Sequence, residues 1–215
     1  MMKYLLSLVL LYTSSAGAQR ATPVVRLSHY VLDSFTAGKV LLKSGATYNQ
    51  KLNYNALTGE MIFDADGKYL AIAEPQNVDT VFIQDRTFVP VENRFYELLL
   101  PAAAPLFLEY TCTVQEPGSS IGYGSASNTT AATSLKTLIN SGGAYDLKLP
   151  DDFKVKAGRN YWIWKAGKFQ KANTVQQLGK TFPDKKDVLN NWVKEKHSDF
   201  FKQADVVALV AQLEQ

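Results

Sequence analysis

The side chains able to carry chemistry are few and far apart. The chain has two histidines, His29 and His197, and one cysteine, Cys112. Nucleophilic catalysis needs a nucleophile, a base and an orienting group in reach of one another. His29 follows Ser28 ahead of the first clear strand, and His197 closes a helical segment, where the helix dipole favours a cation. No G-x-S-x-G occurs. Two isolated histidines and one cysteine give no zinc spacing. Asp64-Ala65-Asp66-Gly67 opens like a calcium loop, but the twelfth position from Asp64 is Pro75 instead of Glu, so a tight turn is the better reading. Asp151 and Asp152 are adjacent and point apart on an extended chain, unlike the opposed carboxylates of a glycosidase. Glu60, Glu92 and Glu97 are scattered, and nothing selects a pair. The expectation is no catalytic residue, no metal and no cofactor, with a hydrolase using His29 or His197 as the weakest alternative.

Binding chemistry is better represented. Asn160-Tyr161-Trp162-Ile163-Trp164 and Lys168-Phe169-Gln170-Lys171 flank Lys165-Ala166-Gly167, a hairpin with Gly in the turn. Strand side chains alternate, so Trp162 and Trp164 share one face while Tyr161 and Ile163 share the other. Two tryptophans with Lys165, Lys168 and Lys171 nearby can stack on a sugar or anchor a partner protein. Aromatic rows are usually core, and the expectation is that the helices that follow cover the tryptophan face.

The elements that must position these residues follow from periodicity. Leu106, Leu108, Tyr110, Cys112 and Val114 alternate onto one apolar face, which makes Cys112 a small buried hydrophobe. From about Val24 to Val114, short strands recur at roughly ten-residue spacing with turn signals between them, among them Ser44-Gly45, Thr58-Gly59 and Asp64–Gly67. That pattern predicts an antiparallel β-meander, closed as a barrel or folded as a sandwich, with no helical crossover to make parallel pairs. Residues 117–143 are rich in Gly, Ser, Thr and Ala and read as a connector; Asn128-Thr129-Thr130 within them fits a glycosylation acceptor. The C-terminal part, 144–215, reads as a short strand at Tyr145–Leu149, the aromatic hairpin and three helices. Thr174 with Gln177 forms a capping box for the first helix, and Asp184 caps the second. The predicted class is α+β, with a β domain over 19–116 and a small hairpin-plus-helix domain over 144–215.

Composition narrows the function classes. Of 215 residues, 46% are hydrophobic, enough for one substantial core. The net charge of +3 is weak for a nucleic-acid reader, so no nucleic-acid partner is expected. A single cysteine leaves no internal disulfide. Residues 1–18 read as a signal peptide: Lys3 gives a positive start, Tyr4–Tyr12 an apolar run, and Ala16-Gly17-Ala18 a small-residue cleavage site. The apolar run is shorter than the roughly 20 residues a spanning helix needs. The expected location is periplasmic or peripheral to an outer membrane, without a transmembrane segment in the mature chain.

Several short patterns recur in order: GKVLLKSG, LNYNALTGEMIF and FVPV, then YGSASNTT, AYDLKLPDDFKV, NYWIWKAGKFQKA and LGKTFPDKKDVLNNWVKEKHSDF. In this order the chain resembles an uncharacterised family of exported proteins of Gram-negative bacteria. The resemblance implies a cell-envelope location and supplies no catalytic residues. The resulting expectation is a non-enzymatic envelope protein working through protein–protein contacts, such as a soluble accessory subunit of an outer-membrane complex. The alternative is a glycan- or envelope-polymer-binding module that uses the aromatic hairpin.

Overall fold

The computed structural model describes residues 29–115, 120–121, 125–126, 140–141, 143–147, 149, 153–196 and 202–215. The signal-peptide reading, most of the connector with Asn128, the pair Asp151 and Asp152, and His197 lie outside the described residues.

The strands are β1 (Thr36–Leu42), β2 (Thr47–Asn55), β3 (Glu60–Ala65), β4 (Lys68–Ala71), β5 (Val78–Ile83), β6 (Arg86–Val91), β7 (Arg94–Leu100) and β8 (Leu106–Gln115). Four two-residue strands follow: β9 (Ser120–Ile121), β10 (Ser125–Ala126), β11 (Asn140–Ser141) and β12 (Ala144–Tyr145). The hairpin is β13 (Lys154–Lys165) and β14 (Lys168–Lys171). The helices are α1 (Val175–Thr181), α2 (Lys186–Lys196) and α3 (Gln203–Leu213). The protein is α+β, as its patterning predicts.

Ten strands form one sheet in the order β14-β13-β8-β7-β6-β5-β1-β2-β3-β4, and each of its pairings is antiparallel. The meander is interrupted once. After β4, a 3-10 turn at Pro75–Asn77 carries the chain back to the free edge of β1, so β5 pairs with β1 instead of β4. Gly38 of β1 sits where a side chain could not. A Cβ there would lie 2.6 Å from the Phe82 carbonyl oxygen and 2.8 Å from a Leu52 methyl.

The sheet is neither a closed barrel nor two separate layers; it curls. Tyr54 Oη donates to the Phe95 carbonyl at 2.9 Å, and Phe95 N donates to the Gly59 carbonyl at 2.9 Å. These bonds bring the β2–β3 end over β7 without joining the sheet edges, β4 and β14. The concave face closes on a core of Leu52, Tyr54, Met61, Val81, Ile83, Phe88 and Phe95. Each such buried side chain contributes roughly 1.5–3 kcal/mol.

β13 is longer than its sequence signal and runs antiparallel to β8 from Lys154↔Gln115 to Ile163↔Leu106. The hairpin is thus part of the main sheet. Its inward residues Tyr161 and Ile163 join Leu106 and Leu108 under the helices, packed by Leu178, Phe182, Leu189, Val206, Leu209, Val210 and Leu213. Thr174 caps α1, its Oγ1 accepting from Gln177 N at 3.2 Å. The Gln177 side chain reaches one residue further back than a capping box requires and accepts from Asn173 N at 2.7 Å. Asp184 lies within a 3-10 turn that precedes α2, and no side-chain cap is formed there. Pro183 opens that turn where its missing N–H is no loss.

Candidate functional site

The residues singled out from the hairpin fall on two sides of the sheet. In β13 and β14, Trp164 faces Phe169 and Trp162 faces Lys171, whereas Lys165 faces Lys168. The Lys165 ammonium stands 3.8 Å from the Phe182 ring centroid, on the helix side. Lys168 shares that side by register, so the two lysines do not flank the tryptophans. The helices cover Tyr161 and Ile163, not the tryptophan face. The β8–β13 register sets that choice: Tyr161 pairs with Leu108 and Ile163 with Leu106, and this row packs under the helices.

The tryptophan face is an aromatic cluster that sequence reasoning grasped only in part. The Trp162 ring stacks on Phe169 at 5.0 Å with the planes 3° apart. Tyr96 of β7 presents an edge to Phe169 at 5.0 Å and to Trp162 at 6.4 Å. Phe107 of β8 meets Phe169 at 5.4 Å. Trp162 Nε1 donates to Glu109 Oε2 at 2.9 Å. That carboxylate also accepts from Asn160 Nδ2 at 3.2 Å and pairs with Arg94 at 3.6 Å. The Lys171 ammonium lies 5.5 Å from the Trp162 ring centroid. Trp162 is thereby held by the stacked Phe169 ring and at its polar edge by Glu109, which makes it scaffold. Trp164 is different: it touches the cluster through Phe169 at 6.3 Å and remains 46% exposed. Tyr96, Phe107 and Glu109 could have been found from β7 and β8, where each stands out of phase with its strand's core row.

Of the catalytic candidates, His29 and Cys112 are among the described residues. Burial pushes the Cys112 thiol up to about 11 and the His29 imidazole down to about 4. Both move away from the charged forms that a thiolate–imidazolium pair requires. Cys112 is half-buried and packs beside the concave core. Asp64 Oδ1 accepts from Gly67 N at 2.7 Å, with Asp66 and Gly67 both at positive φ; this is the tight turn. Among the described residues no three His, Cys, Asp or Glu side chains come together as a metal site, and no helix is long and apolar enough to cross a membrane.

The most elaborate polar constellation is one the sequence did not single out. Arg86 Nε donates to Glu97 Oε1 at 3.0 Å and Arg86 Nη2 to Glu97 Oε2 at 2.8 Å. Tyr110 Oη donates to Glu97 Oε2 at 2.6 Å and accepts from Arg86 Nη2. Burial, then the bond to Glu97, holds the Tyr110 phenol above its ordinary range. The bidentate pair is structural: it neutralises two charges between β6, β7 and β8 on the concave face. Its components are thirteen or fewer residues apart within each pair except Arg86–Tyr110, but no local pattern marks them. Comparison with known proteins yields no relative for this chain: no family model, curated protein or solved structure matches it.

Proposed function

We propose that this chain is a non-enzymatic cell-envelope protein that works through protein–protein contacts, with Trp164 as its anchor. The observation that carries the reading is the contrast within the aromatic cluster. Trp162, Phe169, Tyr96 and Phe107 are locked against one another, while Trp164 stands half out of a face that the helices leave uncovered. A rigid aromatic platform carrying one exposed tryptophan has the form of an interface hot spot. The envelope location rests on the resemblance to exported proteins and on the leader pattern of residues 1–18. A glycan-binding reading uses the same Trp164 ring. It is weaker because Trp162 is already covered by Phe169 and Tyr96, so the hairpin presents one free ring for a sugar instead of two.

The test is crosslinking and affinity purification from the native envelope with wild type, Trp164→Ala and Lys168→Ala. Trp164→Ala is expected to keep the melting temperature and weaken partner retention by about thirtyfold or more, the effect of a hot spot worth about 2 kcal/mol. Lys168→Ala is expected to retain the partner, since its side chain lies on the helix side. A large drop in melting temperature for Trp164→Ala would make the residue core and overturn the reading. Retention on envelope glycans that is lost in Trp164→Ala would instead favour the glycan reading.

A further inference from the structure

The two cores on the concave side leave a gap between them. It is a cavity of about 830 Å³, within the range of small-molecule sites. Its floor is the β8–β13 pair, where Cys112 stands opposite Ala157, Tyr110 opposite Arg159, and Leu108 opposite Tyr161. The small side chains of Cys112 and Ala157 leave room above that floor. The facing wall is His29, Tyr30, Val31 and Ala56. It is held by Ala56 N donating to the His29 carbonyl and Val31 N to the Tyr54 carbonyl, both at 2.9 Å. Asn173 closes one end, accepting from Tyr161 N at 2.6 Å and donating to Asn160 Oδ1 at 3.1 Å.

The chemistry of the lining is one-sided. Arg86, Lys156 and Arg159 contribute to it, and among its described residues there is no Asp or Glu. Glu97 neutralises Arg86. Arg159 stands on the cavity side opposite Tyr110, whereas Lys156 alternates to the other face of β13. Arg159 forms no salt bridge among the described residues, so its charge remains uncompensated beside low-dielectric walls, which focus its field into the opening. The rest of the surface is largely apolar or aromatic: Val31, Ala56, Tyr110, Ala157 and Tyr161. In the wall, both His29 ring nitrogens lack a protein partner, although the residue is only 1% exposed.

We propose that this cavity binds a small organic anion with a flat apolar body, its charge held by Arg159 and its body lying on Tyr110, Cys112 and Ala157. The site is distinct from the Trp164 face and does not depend on it. Its test uses the full chain and anilinonaphthalene sulfonate, an aromatic anion, as probe. Affinity is read from fluorescence at low salt. Occupancy of the cavity is read from the rate at which uncharged dithiodipyridine modifies Cys112, the only cysteine of the chain. Saturating probe is expected to slow that reaction about tenfold or more. Arg159→Gln, at an exposed position, is expected to weaken probe binding about tenfold or more at unchanged melting temperature, as expected for losing a charged hydrogen bond, while Lys156→Gln on the other face is expected to leave binding unchanged. Trp164→Ala is expected to leave both readouts unchanged. The proposal is overturned if the probe does not bind, if Cys112 reacts equally fast when the probe is saturating, or if affinity survives Arg159→Gln. A loss of binding in Trp164→Ala alone would place the probe on the opposite side of the sheet and overturn it equally.

Discussion

His29 ties the stability of the protein to pH in a way that one substitution isolates. Its imidazole is buried with neither nitrogen bonded to protein, and burial lowers its pKa from 6.5 to about 4. The folded pKa lies below the unfolded one, so the unfolded chain holds the proton more tightly. Stability is therefore unaffected by this group above about pH 6.5, falls as pH drops through the window from 6.5 to about 4, and levels off below it. Linkage with these two values gives a loss of about 2 kcal/mol at pH 5 and about 3 kcal/mol at pH 4, relative to pH 7. For a chain of this size, the loss at pH 5 corresponds to a melting-temperature drop of about 4–8 °C. His29→Phe keeps a planar ring and removes both the proton site and the two unsatisfied nitrogens. It is expected to be neutral or stabilising at pH 7, because replacing an unbonded buried polar group by an apolar one removes a desolvation cost. The assay is urea denaturation of wild type and variant from pH 7 to pH 4.5. Every other titratable group is common to both proteins and cancels in the difference. Of the groups around the cavity, Arg86, Tyr110 and Cys112 are each held above their ordinary values and so keep their charge state in that range. The wild type is expected to lose about 2 kcal/mol more than His29→Phe between pH 7 and pH 5. Parallel stability curves would refute the reasoning and mean that His29 finds a way to protonate without unfolding.

Two further substitutions probe the frame around the cavity. Glu97→Gln leaves the Arg86 guanidinium half-buried without its bidentate partner, and a loss of about 2 kcal/mol in chemical denaturation is expected, with Glu97→Asp recovering only part of it. Gly38→Ala places a Cβ 2.6 Å from a backbone carbonyl that cannot swing away; about 1–3 kcal/mol of destabilisation is expected, read as a lower denaturation midpoint, and an unchanged midpoint would mean that the β1–β5 pair can spread.

The strands were legible because their signals are local. Asp64–Gly67 and Lys165–Gly167 supply turn residues where the pattern puts them, although burial in β2 follows position along the strand and not alternation, with Tyr48 55% exposed and Asn53 buried. The face bearing Cys112 was equally legible, since period-two alternation over Leu106–Val114 needs no partner to be read. What could not be read was which strand lies beside which. Nothing local tells β5 to pass β4 and pair with β1, or tells β13 to extend along β8. The candidate site suffered for the same reason. Alternation separated Trp162 and Trp164 from Tyr161 and Ile163, but the choice of covered face depended on α1–α3 and on Leu106 and Leu108. Lys165 differs in parity from the tryptophans and the turn register sets Lys168 opposite Lys165, so both fall on the helix side, while Lys171 falls beside Trp162. Arg86, Glu97 and Tyr110 sit on three strands and meet only once the sheet has curled.

The pairing of β8 with β13 also sets an order of events during synthesis. The chain emerges N-terminal end first, so β1 to β8 are complete while residues 116–153 are still being added. Through that interval β8 is a ten-residue strand whose outer edge has no neighbour, and its row of Leu106, Leu108 and Tyr110 waits for both β13 and the helices. Closing the intervening segment adds an entropic delay that grows only slowly with its length. A long bare edge of this kind is a template for pairing with other chains. A chain holding only β1 to β8 therefore offers such a template, and the pairing of the aromatic hairpin with β8 brings that exposure to an end.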